Sequence, residues 1–197
     1  MSDAQSIVAM FDALPDCRRG QGQRHNKTFI LLITLMATMS GYHGYRAIGD
    51  FITRNRTALL KHFRPHKDRL PTFDTVRRLL LVLDFDQLSQ AFGKWAVART
   101  TIKKGEWMGI DGKALAGTMS AYNKAHQRFI NLVSIYCART GLVLAAAQVD
   151  NSKQSEIPVV QQLIEALDLK DVTFSLDALH CQKKQPPQSS KAVINMS

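Results

Sequence analysis

The sequence predicts an α+β protein: an all-helical, basic N-terminal domain over residues 1–104, then a partial α/β domain with a mixed sheet over residues 105–184. Three observations carry this. Apolar residues recur at helical spacing through the first half and at strand spacing after it. Two apolar runs, Trp107–Ile110 and Val172–Leu176, each end in an aspartate, Asp111 and Asp177. Charge is divided unevenly: residues 1–104 hold 17 Lys and Arg against 8 Asp and Glu, whereas residues 105–197 hold 9 against 8.

The 197 residues suffice for one ordinary domain or two small ones, and a hydrophobic share of 45% is that of a folded soluble chain. The net charge of +10, concentrated in the first half, suits a polyanionic partner. Cys17, Cys137 and Cys181 are odd in number and irregular in spacing, which argues against a disulfide framework and fits a reducing cytoplasm. No Cys-x-x-Cys pair offers a structural zinc site. The N-terminus lacks the pattern of a secretion signal. The longest apolar run, Phe29 to Met39, is too short to cross a bilayer.

Residues 6–14 have the pattern of a short helix that stops before Pro15. The segment from Asp16 to Lys27 is basic and contains Gly20 and Gly22, so it reads as a loop; its Arg18, Arg19, Arg24 and Lys27 are candidate phosphate contacts. Thr28 is the expected N-cap of a buried helix reaching Ser40. Tyr45 to Asn55 resumes helical spacing with Ile48, Phe51 and Ile52 on one face, and Leu59 to Phe63 continues it. Thr72 is placed to cap a helix whose apolar face is Val76, Leu79, Leu80 and Leu83. Arg77 and Arg78 leave that helix on other faces, an arrangement compatible with the second helix of a helix-turn-helix. Asp86 is the expected cap of a helix with Leu88, Ala91, Phe92 and Trp95 inside, and Arg99 to Gly105 reads as the interdomain linker.

Beyond it, Trp107 to Asp111 reads as a strand and residues 112–127 as a polar loop that includes Lys113. Residues 128–138 and 142–149 form a hairpin about the turn Arg139-Thr140-Gly141. Ser155 is the expected cap of a helix with Pro158 in its first turn and Val160, Leu163, Ile164 and Leu167 inside. Val172 to Asp177 is the last strand. A strand–helix–strand crossover makes that strand parallel to one already in the sheet. Beside the first strand, it brings Asp111 and Asp177 to one carboxyl edge, the beginning of a ribonuclease-H-like fold. Two carboxylates there suit Mg²⁺ or Mn²⁺, and a pair of such ions roughly 4 Å apart activates an attacking hydroxyl and stabilises a leaving oxygen at a phosphodiester.

Several motifs occur in order from about Ala4 to Lys184: Asp16-x-Arg18-Arg19 with Arg24-His25, Pro71-x-x-Asp74-Thr75-x-Arg77-Arg78, Ile110-Asp111-Gly112-Lys113, Glu156-Ile157-Pro158, and Asp177-Ala178-x-x-Cys181-Gln182-Lys183. Together they resemble bacterial insertion-sequence DDE transposases of the H-repeat-associated type. The resemblance implies a helical DNA-handling domain and a ribonuclease-H-like catalytic domain that cleaves and transfers strands at the ends of a mobile element with Mg²⁺ (or Mn²⁺). Carried over by position, Asp111 and Asp177 are its first two catalytic acids and metal ligands. The partner it implies is DNA, as element ends and as target; no membrane is expected, and a homo-oligomer is compatible with it. In such proteins a later helix brings a third acid, a glutamate. No acidic residue follows Asp177 here, and Pro186 and Pro187 stop a helix. Residues 185–197 are therefore expected to be a disordered or aberrant tail of a truncated, catalytically inactive copy. A DNA-binding remnant without enzymatic activity is the alternative.

Overall fold

The computed structural model describes residues 6–115, 130–150, 156–177 and 191–196. The chain separates into two compact units, Met1–Phe85 and Asp86–Ser197.

The first unit is helical. Helix α1 (Ile7–Ala13) starts at Ser6, whose hydroxyl accepts from the Ala9 N–H at 3.0 Å. Helix α2 (Lys27–Met39) starts two residues earlier than expected. Its cap is Asn26, whose side chain accepts from the Thr28 and Phe29 N–H groups, while Thr28 is buried and its hydroxyl bonds Asp12. Helices α3 (Tyr45–Arg54), α4 (Arg56–Phe63) and α5 (Phe73–Val82) follow. Thr72 caps α5 as predicted, accepting from the Thr75 N–H. The core of the unit is Ile30, Ile33, Leu59, Val76 and Leu79, none more than 2% exposed. The α4–α5 connection runs over residues 64–72 and includes a 3₁₀ turn at His66–Asp68. A helix-turn-helix joins its helices by three or four residues, so the expected motif is not formed by this pair.

The second unit is a five-stranded mixed sheet with two helices. Its strands are β1 (Glu106–Ala114), β2 (Ile130–Cys137), β3 (Val143–Asp150), β4 (Val172–Asp177) and β5 (Lys191–Met196), in the order β3-β2-β1-β4-β5. Strands β1 and β2, and β2 and β3, pair antiparallel, while β1 and β4 run parallel. Helix α7 (Glu156–Leu167) makes the crossover from β3 to β4, as the strand–helix–strand pattern required. The core takes alternate residues from each strand: Met108 and Ile110, Val133 and Ile135, Val172 and Phe174. Val159 and Val160 of α7 close over it, with Leu163, Ile164 and Leu167 half-buried beside them.

Three features differ from expectation. Helix α6 (Phe85–Val97) belongs with the sheet rather than with the helices before it. Its Phe92, Trp95 and Ala96 join the sheet core, and the Ser89 hydroxyl donates to the Ala146 carbonyl. The compact unit therefore begins at Asp86, not after the charged linker at 99–105. Asp86 lies in the first turn of α6 and does not precede it. Strand β1 continues to Ala114, so Lys113 is a strand residue and not part of a loop. Lys191–Met196, expected to be irregular, pair antiparallel with β4 as β5. The expected cap Ser155 and the loop 116–127 lie outside the described residues.

Candidate functional site

The register of the two parallel strands fixes the candidate acids. Met108 pairs with Phe174 and Ile110 with Leu176, all four side chains buried. Asp111 and Asp177 are the next residue on each strand. Neighbouring strands lie about 4.8 Å apart, so the two aspartate backbones reach one sheet edge side by side. This is the juxtaposition that the crossover pattern predicted. Asp111 is exposed. On its other flank it pairs with Ser134 of β2. Beyond Ile110, β1 keeps β2 as its partner down to Ala114–Asn131.

The face bearing Asp111 is the one opposite α7. It carries Trp107, 51% exposed, then Gly109, Asp111 and Lys113 at two-residue steps. Gly109 is covered by the ring of its cross-strand partner Tyr136; a Cβ at 109 would lie 2.3 Å from Tyr136 Cζ. Lys113 stands exposed two residues beyond Asp111 on that face, a cation beside the candidate carboxylate. Glu156 is the first residue of the crossover helix α7. Its carboxylate accepts from the Asn131 side-chain amide, which ties the start of α7 to β2. Among the described residues, no group of three His, Cys, Asp or Glu side chains is placed to hold a metal ion. The Asp111–Asp177 pair offers hard oxygen donors alone, which fits Mg²⁺ or Mn²⁺ and not zinc.

The candidate phosphate contacts divide into two kinds. Arg18 and Lys27 turn inward, contrary to the expectation that they meet DNA. The Arg18 side chain is 5% exposed and forks onto Asp16, with Nε to Oδ1 at 2.8 Å and Nη2 to Oδ2 at 2.7 Å. It also donates to the Gly22 and His25 carbonyls at 2.9 Å. Asp16 is held below the ordinary carboxylate range chiefly by the Arg18 side-chain hydrogen bonds, against the opposing effect of burial. Lys27 is buried and donates to the Asp12 and Leu14 carbonyls, closing α1 onto α2. These two cations build the loop from which Arg19 and Arg24 emerge exposed. On α5, Arg77 is exposed, and Arg78 makes a solvent-facing pair with Asp74 at 3.1 Å. Surface pairs of this kind hold little energy, so Arg78 can exchange Asp74 for a phosphate.

Fold and site together describe a two-part chain with a basic helical region and a mixed sheet whose neighbouring parallel strands carry Asp111 and Asp177. Residues 8–96 match the family model described as DDE_Tnp_1-associated. The chain is 30% identical to "Uncharacterized protein in dhlA 3'region" of Xanthobacter autotrophicus over 92% of its own length and 61% of that protein. It is 29% identical to "Putative transposase YncI" of Escherichia coli O157:H7 over 91% of its length and 45% of that protein. With "H repeat-associated putative transposase YhhI" of Escherichia coli K12 it shares 26% identity over 92% of its length and 47% of that protein. These similarities support the resemblance to H-repeat-associated transposases that the motifs carry. It spans about half to three-fifths of the length of these relatives. No solved structure matches it. No helix among the described residues is long and apolar enough to cross a membrane.

Proposed function

We propose that this chain takes part in DNA transposition, with the helical unit handling DNA and Asp111 and Asp177 forming the metal-binding edge of a ribonuclease-H-like catalytic region. The observation that carries the reading is the register: Ile110 opposite Leu176 on parallel strands sets the two aspartates adjacent at one carboxyl edge. The exposure of Asp111 and the nearby exposed Lys113 suit a site that must admit a DNA strand. Mg²⁺ or Mn²⁺, when bound, would activate a hydroxyl and stabilise a leaving oxygen at a phosphodiester. The chain's own parts are simpler. Asp111 and Asp177 would hold the cation, and Lys113 would neutralise an adjacent phosphate. The activity proposed for these residues is DNA binding, with metal binding at the Asp111–Asp177 edge.

The test is calorimetric titration of the full chain with Mg²⁺ and with Mn²⁺, for wild type and Asp177→Asn. Specific binding that the variant loses supports the metal-binding edge. Equal heats in both proteins, or none in either, would remove the catalytic-edge reading and leave DNA binding alone. Nicking of supercoiled DNA that survives in Asp111→Asn would remove it as well.

A further inference from the structure

The sequence His66-Lys67-Asp68-Arg69, which the transposase reading leaves without a task, closes a cleft of about 620 Å³ within the helical unit. Small-ligand sites commonly measure ~300–1,000 Å³. Its lining includes the basic side chains Arg24, Lys67 and Arg69 and the imidazoles of His25 and His66. It also includes Leu32 and the rings of Phe29 and Phe63, whose centroids lie 5.0 Å apart. Its one carboxylate, Asp12, already accepts from the Thr28 hydroxyl. The backbone around Lys67 is strained: Arg64, Lys67 and Asp68 all have positive φ, at 43°, 56° and 48°. Left-handed non-glycine residues persist where the surrounding structure holds them, and they gather at binding sites.

Cations and aromatic rings lining one cleft are the combination that binds an unpaired nucleotide, with its phosphate on the cations and its base against a ring. A duplex hides its bases and has no use for the rings. We infer that this cleft holds one unpaired nucleotide of a DNA strand, through Arg24, Lys67 and Arg69 at the phosphate and Phe29 and Phe63 at the base. The inference rests on the DNA-handling role proposed above and names the substrate feature that the helical unit recognises. It assigns no part of that recognition to Arg18 or Lys27, whose donors are used within the fold.

The experiment is fluorescence anisotropy on the full chain with a labelled single strand of about ten nucleotides and with the same sequence as a duplex. The single strand should bind at least about fivefold tighter than the duplex, the smallest effect expected of one stacked base. Lys67→Gln and Arg69→Gln, both exposed and remote from the core, should each weaken the single strand severalfold and leave the duplex within twofold (about the uncertainty of such titrations). Phe63→Leu, which keeps an apolar side chain, should remove the preference for the single strand if the base stacks there. Cooperative melting at the wild-type temperature shows that each variant folds. Equal affinity for both forms, or single-strand binding indifferent to Lys67→Gln and Arg69→Gln, overturns the cleft assignment while the broader DNA-handling role stands. Failure to bind either form overturns both. Displacement of the strand by inorganic phosphate as effectively as by a mononucleotide would reduce the cleft to an anion site and overturn the base-stacking claim.

Discussion

Asp111 and Asp177 each stand one residue beyond the register pair Ile110–Leu176, on neighbouring parallel strands. Their proximity is therefore a consequence of hydrophobic alternation. Ile110 and Leu176 both face the core, so backbone positions 111 and 177, the next on each strand, fall at the same level of the sheet. A one-residue slip of β4 would carry Phe174 and Leu176 out of the core, which is a far larger loss than any repulsion between the carboxylates.

That repulsion is itself measurable. Like charges side by side on adjacent strands cost up to about 1 kcal/mol, and exposure of Asp111 brings the figure toward a few tenths. In metal-free, low-salt buffer, Asp111→Asn should melt at or slightly above the wild-type temperature. Adding Mg²⁺ should raise the wild type past the variant. A variant that is less stable in the absence of metal would mean that Asp111 supports the fold and not a cation.

Much of this arrangement was legible from residues alone. The apolar runs and the single crossover helix gave β1, β4 and a parallel pairing of β4 within the sheet, and the observed register makes β1 its parallel partner. Less legible was anything that depends on where a side chain finds its partner. Arg18 and Arg19 are adjacent and chemically identical, yet one is inside the fold and the other in solvent. Composition counts both as positive charge. Helix α6 was assigned to the wrong neighbour because its stripe of Phe92 and Trp95 says that it is covered without saying by what. The nucleotide cleft escaped notice because its lining comes from three separated stretches, and the rings of Phe29 and Phe63 carry no periodic signal across 34 residues.

The inward role of Arg18 gives a test that separates structure from DNA contact. Arg18→Ala removes two hydrogen bonds to Asp16 and two to backbone carbonyls, leaving a partly buried carboxylate unpaired. A loss of about 2–3 kcal/mol is expected, discounted from the fully buried case because Asp16 is 26% exposed. Chemical denaturation of Arg18→Ala and Arg19→Ala side by side should show the loss in the first and little change in the second. Asp16 titrates below its usual range in the fold, so the stability it contributes is full above the unfolded value and fades as pH falls through the lower folded one. Asp16→Asn should flatten that acid limb. Equal stability of the two arginine variants would return Arg18 to the DNA-contact set.

His25 should act in the opposite sense at milder pH. Burial, then the charges of Arg24, Arg18 and Arg69, hold its imidazole below the ordinary histidine range. Between the unfolded and folded values, the unfolded chain takes up a proton that the folded chain does not. Stability attributable to His25 is therefore intact above about pH 6.5 and declines as pH falls below it, levelling off once the folded imidazole also protonates. Comparing denaturation midpoints at neutral and mildly acidic pH for wild type and His25→Gln isolates this group from the other five histidines. An identical pH slope in the two proteins would contradict the burial of His25.

Gly93 tests whether α6 truly belongs to the sheet. In an exposed helix, Gly→Ala is favourable by about 0.8–1.0 kcal/mol, because alanine loses less backbone freedom on folding. At Gly93 an added Cβ would lie 2.6 Å from the Leu144 carbonyl oxygen, a backbone atom of β3 that has no rotamer to move into. Relief requires the helix to lift away from the strand. That lift would loosen Ala96 and the half-buried Phe92 and Trp95 and strain the bond from Ser89 to the Ala146 carbonyl. Overpacking of this kind costs about 1–3 kcal/mol and so outweighs the helical gain. Gly93→Ala should therefore destabilise the protein by up to about 2 kcal/mol net, read as a lower denaturation midpoint with the slope unchanged. A stabilised variant would show that α6 does not rest on β3, and the unit boundary would move back toward the charged linker at 99–105.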